Sequence, residues 1–316
     1  MHKFLFYLAL AYISSHAVEL NDACKNLLIG NNFNQAIEVC QKAIEENPKD
    51  LASLYFLGVA YSQAGYYSKA IQVHKLILEN TSTDFFSLLS YISLGDAYSQ
   101  MSEAEMAILY SEKALALANQ QDDSHYIALA ENSVAMAYRL YNEHNTSIKH
   151  YQNALNHLKS NHPQYTTILN NIALSRLHME DFSSAYKGFN DALVSTQTTH
   201  NTYVASLIKS NMAITKILLG EEEKALELLK EIESSIGSND NLTALLNTYY
   251  AYLIILDVHD KNYITYENKA KAVEKQMGLH NYDSIRNMLT QLPDSKSKAL
   301  FILGIDPSKN KEKTIK

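Results

Sequence analysis

Cys24 and Cys40 are the two cysteines of the chain, and they lie sixteen residues apart. This spacing fits neither a CxxC redox motif nor a zinc-binding pattern. Outside the reducing cytosol such a pair is often oxidised to a disulfide. The alternative is a pair of buried free thiols, which pack like small apolar side chains. The cellular compartment therefore bears on which interpretation applies.

Motifs of other chemistry are missing from the sequence, which has no Gly-rich phosphate loop and no GxSxG, HExxH or DxDxDG segment. His144, His150, His157 and His162 form the densest histidine group, but their spacing does not place three on one helix face. The acidic run 221–223 is expected to offset a helix dipole. The sequence thus predicts a protein that is not an enzyme and needs no metal or cofactor.

The N-terminal segment, MHKFLFYLALAYISSHAVEL, has the layout of a secretory signal peptide. Lys3 precedes an apolar run over residues 4–13, and small residues end at Ala17, the predicted cleavage site. A buried N-terminal helix is the alternative. The run is too short to span a bilayer, which takes about 20 residues. We therefore expect a mature chain without a membrane span, located in the periplasm or secreted.

Composition narrows the class of fold and partner. The 316 residues carry a formal net charge of −7, and only Arg139, Arg176 and Arg286 supply guanidinium groups, so nucleic acid is not an expected partner. Nine Gly and four Pro are too few for a chain rich in turns and strands. A helical protein is predicted.

Two short patterns alternate along the chain. The first pattern begins with a small residue in most copies, has a middle residue four positions later, and has a second small or apolar residue seven positions after the start, as in Ala36, Cys40 and Ala43. It occurs at 36–43, 70–77, 107–114, 147–154, 185–192 and 225–232. The second precedes five of these segments, at 54–61, 91–98, 134–138, 172–176 and 212–216, and includes Leu57-Gly58 and Leu94-Gly95. Residues three and four apart share a helix face, so the two patterns predict a pair of packed helices in each repeat.

These phrases resemble the tetratricopeptide repeat, whose first helix carries Leu-Gly and Tyr and whose second carries Ala, an aromatic residue and Ala. The resemblance implies an all-α fold, a right-handed superhelical α-solenoid of stacked helix-turn-helix repeats. The predicted organisation is a signal peptide (1–17), six repeats (18–239), a degenerate seventh helix pair (240–279), a C-terminal capping helix segment (280–306) and a flexible basic tail (307–316). Gly65 and Gly220 are expected in the tight turns between paired helices.

The first repeat places Cys24 and Cys40 on facing helices. Cys24 stands where the repeat pattern has Gly, Cys40 stands where it has the aromatic residue, and the midpoint between them falls in the turn at Asn32. Both thiols are then about 12 Å from the turn, at 1.5 Å of helix per residue. A disulfide is predicted, with two buried free thiols as the alternative.

The family typically binds extended peptides or partner helices on a concave surface lined by the first helix of each repeat. Carried over by position, this predicts a binding stripe on those helices. Its members are Tyr55, Val59, Ile92, Asp96, Asn132, Met136, Arg139, Asn170, Leu174 and His178, continuing to Ser210, Ile214 and Ile217. The stripe is mixed rather than basic, so a clamp for a terminal carboxylate is not expected. Asn132 and Asn170 carry both a donor and an acceptor, so they are hypothesised to pair with a peptide backbone; ordinary helix surface is the alternative.

Two functions remain open at this point. The first is a non-catalytic scaffold that binds a protein or peptide partner in the groove. The second is a receptor or carrier for a small envelope-derived ligand, such as a peptidoglycan or sugar fragment, held against some of the 22 tyrosines.

Overall fold

The computed structural model describes residues 18–305, apart from 31, 200–201, 236–240, 257–258 and 280. The predicted signal peptide, 1–17, and the predicted basic tail, 307–316, lie outside the described residues. Within the described ranges there are sixteen α-helices and no strand. The predicted all-α repeat fold is confirmed.

The helices follow one another with short connections. They are α1 (Val18–Ile29), α2 (Phe33–Glu46), α3 (Leu51–Gln63), α4 (Tyr67–Asn80), α5 (Asp84–Gln100), α6 (Ala104–Gln121), α7 (Ser124–Leu140) and α8 (His144–Asn156), then α9 (Tyr165–His178), α10 (Phe182–Thr199), α11 (Thr202–Leu218), α12 (Glu222–Ser235), α13 (Leu242–Ile255), α14 (Lys261–Gln276), α15 (Tyr282–Gln291) and α16 (Ser295–Ile302). Helices α1–α12 fall within the predicted six-repeat segment, α13 and α14 within the seventh pair, and α15 and α16 within the cap. The domain boundaries themselves stay predictions.

Acidic side chains begin several of these helices. Asp50 accepts a hydrogen bond from the Ala52 amide at 3.2 Å before α3, and Asp123 accepts one from the His125 amide at 2.8 Å before α7. Asp260 plays the same role for α14, where it accepts from the Asn262 amide at 2.8 Å. Each carboxylate pairs with an amide that has no partner inside its helix and opposes the helix dipole.

The turns inside repeats use left-handed backbone conformations. Gly65 and Gly220 have φ values of 82° and 75°. Ser102, Asn142 and Glu180 take φ of 62°, 62° and 59° at the equivalent turns after α5, α7 and α9. This conformation costs a residue with a Cβ about 1–2 kcal/mol, so these three turns are strained where the glycine turns are not.

Helices α1–α8 form one compact unit, here called unit 1. Each helix packs against the next along the chain, and contacts also join α1 to α3, α3 to α5 and α5 to α7. Small residues allow the close approach of paired helices: a Cβ added at Gly95 of α5 would collide with Ser111 Oγ of α6. Buried residues at the repeat positions, among them Ala36, Ala70 and Ala107, complete the seams.

Helices α9–α16 form a second compact unit, unit 2. Successive helices again pack in order from α9 to α14, and α11 contacts both α9 and α13. Its core includes Phe189, Leu229 and Leu253, all buried. Helix α16 departs from this order because it packs back onto α11 and α13. In the described part of the chain, no helix is both long enough and apolar enough to cross a membrane.

Candidate partner-binding surface

The first helices of the repeats carry every residue of the predicted stripe. These A helices are α1, α3, α5 and α7 in unit 1 and α9, α11 and α13 in unit 2; their partners, α2, α4, α6, α8, α10, α12 and α14, are the B helices. The structure places Tyr55 and Val59 on α3, Ile92 and Asp96 on α5, Asn132, Met136 and Arg139 on α7, and Asn170, Leu174 and His178 on α9. Of the ten residues from Tyr55 to His178, unit 1 holds seven and unit 2 holds three, and Ser210, Ile214 and Ile217 lie on α11 in unit 2.

Exposure differs along the stripe. Tyr55, Val59, Ile92, Asp96 and Asn132 are buried in unit 1, and Asn170 is buried in unit 2. The partly exposed members are Met136, Arg139, Leu174 and His178. The latter four thus have side-chain surface that a partner can reach in this conformation, and the binding role of all ten stays a prediction.

Asp96 belongs to a polar network between consecutive A helices. Ser133 Oγ of α7 donates a hydrogen bond of 3.0 Å to Asp96 Oδ1, and Ser133 and Ser111 hydroxyls lie 2.9 Å apart. Burial raises the pKa of Asp96 to about 7, although the Ser133 hydrogen bond opposes the shift. This carboxyl is therefore partly protonated near neutral pH.

The two asparagines of the peptide-pairing hypothesis have different surroundings. Asn132 Nδ2 lies 3.7 Å from Met136 Sδ, one turn along α7. Asn170 Oδ1 accepts a hydrogen bond of 3.2 Å from Asn211 Nδ2 of α11, so one lone pair of its carbonyl is already used. The amide pair Asn170–Asn211 links two A helices of unit 2, a role that sequence reasoning did not assign.

Tyrosines near the ends of the A helices reach the B helix of the preceding repeat. Gln41 of α2 donates to Tyr61 OH of α3 at 2.9 Å, and Tyr138 OH of α7 donates to Glu112 of α6 at 2.6 Å. Lys75 Nζ of α4 lies over the Tyr98 ring of α5, 5.7 Å from its centroid. Sequence reasoning missed these contacts, although a signal exists: Gln41, Lys75 and Glu112 each follow the middle residue of the B-helix pattern.

The histidine group noted in the sequence has one well-defined cluster. The His150 ring stacks on Tyr138 with centroids 5.6 Å apart, and His150 Nδ1 lies 2.5 Å from Glu131 Oε2. Among the described residues no group of three or more His, Cys, Asp or Glu side chains is arranged to hold a metal ion.

The cysteine pair has the geometry expected of paired helices. The Cα atoms of Cys24 and Cys40 lie 5.5 Å apart with their sulfur atoms in bonding contact, and both side chains are buried. A Cα separation of this size falls within the range of protein disulfides. The geometry therefore permits the disulfide.

Comparison with family models places the repeat pattern of unit 1. Residues 27–88 and 88–121 each match a model described as tetratricopeptide repeat. These segments are tetratricopeptide repeats. No curated protein sequence matches the chain.

Several solved structures resemble this chain in fold. The apo form of RapI has 14% identity and a TM-score of 0.61, covering 88% of this chain and 98% of its own. The APC/C hetero-tetramer Cut9-Hcn1 has 16% identity and a TM-score of 0.54, covering 86% of this chain and 46% of its own. BtubC from P. vanneervenii has 15% identity and a TM-score of 0.52, covering 65% of this chain and 88% of its own. At such identities the likeness shows the fold alone.

Tetratricopeptide repeats present stacked helices whose combined surface binds other proteins. The repeats matched in unit 1 and the repeat fold of the chain therefore support a protein-interaction scaffold.

Proposed function

We propose that the chain is a non-catalytic scaffold that holds an extended peptide or a helix of a protein partner on its A helices. The observation that supports this most is on α7, where Met136 and Arg139 share one helix face and both are partly exposed. Leu174 and His178 offer the same combination on α9. Apolar contacts together with a few polar donors suit the recognition of a peptide.

The test compares two matched substitutions in the full chain. Met136→Glu places a carboxylate on the proposed binding surface, whereas Leu109→Glu places one at a position that is 43% exposed on the B helix α6. After a partner has been identified by cross-linking, its affinity is measured for both variants by calorimetry. We expect at least a tenfold loss for Met136→Glu and no change for Leu109→Glu. Equal effects would refute the assignment of the surface to α7.

The amide-pairing hypothesis has its own test. The double variant Asn132→Ala, Asn170→Ala is expected to weaken partner binding. Unchanged affinity in the double variant would reject pairing of these amides with a peptide backbone.

We also propose that the mature chain works in the periplasm or outside the cell. The geometry of Cys24 and Cys40 supports this, since disulfides persist in oxidising compartments. Protein recovered from its host, unfolded without reductant, is expected to show no free thiol and to begin after Ala17. Two titratable thiols, or an intact N-terminus, would overturn the proposal.

A further inference from the structure

Helix α16 packs unlike the other helices of unit 2. Helices α9–α13 each contact the next helix along the chain extensively, whereas α15 contacts its chain neighbours α14 and α16 only slightly. Its main contacts are with α11 and α13, two A helices that lie five and three helices before it along the chain. The C-terminal helix therefore lies on the class of helix that carries the predicted binding stripe.

The contact is apolar. Ala299 and Leu300 of α16 are buried, as is Ile305 just beyond it. All three belong to the same apolar cluster as Ile214 and Ile217 of α11. These two isoleucines continue the predicted binding stripe, so the α11–α13 surface is already occupied by a short amphipathic segment.

In the described part of the chain, α16 is held mainly by this surface. The helix has eight residues, and a helix of this length does not persist in water on its own. Asp294 Oδ1 accepts a hydrogen bond of 2.7 Å from the Ser297 amide at its start, and Lys296 Nζ lies 5.7 Å from the centroid of the Phe182 ring. Its order thus depends on the apolar contact with α11 and α13.

We propose that the α11–α13 surface is a binding site for a short amphipathic helix of a partner protein, and that α16 is an internal ligand that occupies it and competes with that partner. The inference rests on the proposed function and adds the kind of partner and its regulation. The partner helix presents two consecutive apolar residues, as Ala299 and Leu300 of α16 do, with polar residues on its other side.

The test uses the full chain and a fluorescein-labelled peptide with the sequence of residues 293–305, followed by fluorescence anisotropy. Leu300→Glu places a charge in the apolar contact and is expected to release α16, so this variant should bind the peptide at least tenfold more tightly than the wild-type chain. Asn287→Glu adds the same charge at an exposed position of the neighbouring helix α15 and should bind like wild type. A peptide carrying the same Leu300→Glu change should not bind either chain.

Two results would overturn the proposal: equal peptide affinity for the wild-type and Leu300→Glu chains, or no binding to a Leu300→Glu chain whose α9–α14 amides remain protected. If Leu300→Glu unfolds unit 2, hydrogen exchange of the wild-type chain decides. Residues 295–305 are then expected to exchange at least tenfold faster than residues 242–255, and equal rates would refute a releasable α16. The proposed function is tested separately through Met136 in unit 1, so either hypothesis can fail alone.

Discussion

Asp96 lies on the predicted stripe, but its carboxyl is buried, and its position in the repeat does not predict this burial. Helix periodicity correctly assigns Asp96 to an A helix. Periodicity indicates the direction in which a side chain points, but not how deeply the neighbouring helices bury it. Ser133 belongs to the next A helix, 37 residues on, and its hydroxyl bonds the carboxylate within the seam. The burial of Asp96 therefore depends on tertiary contacts that local spacing does not encode.

The pKa of Asp96 leads to a prediction about pH. Since the folded pKa of about 7 lies above the ordinary value, the stability associated with the protonated form is present below about pH 4 and is lost as pH rises through 7. Asn keeps an acceptor for Ser133 and carries no charge. Asp96→Asn is expected to stabilise the protein at pH 8, by about 1–3 kcal/mol, and to have little effect at pH 4. Thermal unfolding at both pH values checks this, and a difference independent of pH would contradict it.

At the level of whole helices, the turns within the repeats connect each A helix to its B helix through one residue in the left-handed conformation. Gly65 and Gly220 were predictable because glycine adjacent to a helix pattern indicates a left-handed cap. Ser102 and Glu180 give no such signal and Asn142 gives a weaker one, yet the following B helices require the same backbone path. Spacing of the repeats, rather than residue type, imposes the conformation there.

Glycine in place of Glu180 is therefore expected to stabilise unit 2, and glycine in place of Asn142 is expected to stabilise unit 1. Glu180→Gly removes Cβ strain at φ 59° and should raise the free energy of unfolding by about 0.5–1 kcal/mol after the entropy cost of glycine. Asn142→Gly should gain less, because Asn tolerates this conformation better than Glu. Urea denaturation measures both, and the reverse rank order would show that strain at φ is not the cause.

Packing between repeats offers a second prediction about elements. Tyr138 OH donates to Glu112 on the preceding B helix, and this hydrogen bond raises the pKa of Tyr138 to about 12. Removing it by Tyr138→Phe should cost about 0.5–1.5 kcal/mol, while stacking on His150 remains.

A double-mutant cycle with Glu112→Gln separates the hydrogen bond to Glu112 from the other contacts of Tyr138. A coupling energy near zero between Glu112→Gln and Tyr138→Phe would show that the hydrogen bond does not join the repeats in solution. Spectrophotometric titration gives an independent reading, since Glu112→Gln should lower the pKa of Tyr138.

For the whole molecule, the arrangement of contacts predicts which helices are destabilised when one repeat is altered. Each repeat contacts mainly its neighbours, so stability is close to a sum of local terms. Replacing Cys24 and Cys40 together by Ala should cost about 3 kcal/mol by loss of the cross-link, confined to the first repeats. Hydrogen exchange should speed up in α1 and α2 and stay unchanged in α11. Equal acceleration in unit 2 would contradict local stability.

The repeat pattern was sufficient to predict the helical pairs because Ala36, Ala70 and Ala107 recur in register and mark where helices approach. It was not sufficient for α16. The predicted capping segment, 280–306, ends in a short apolar stretch over residues 298–305. Nothing in that stretch indicates that α11 and α13 are the helices it contacts. Its partners are set by which apolar surface the earlier helices leave available.

The return of α16 onto α11 and α13 also has a consequence for the order of events in synthesis. A ribosome adds about 5–20 residues per second, so the roughly 50 residues after α13 take on the order of 3–10 s to appear. During that interval α11 and α13 can already have met, while the segment that covers them does not yet exist. A chaperone or a partner present at the exit site would then encounter Ile214 and Ile217 of α11 before α16 covers them.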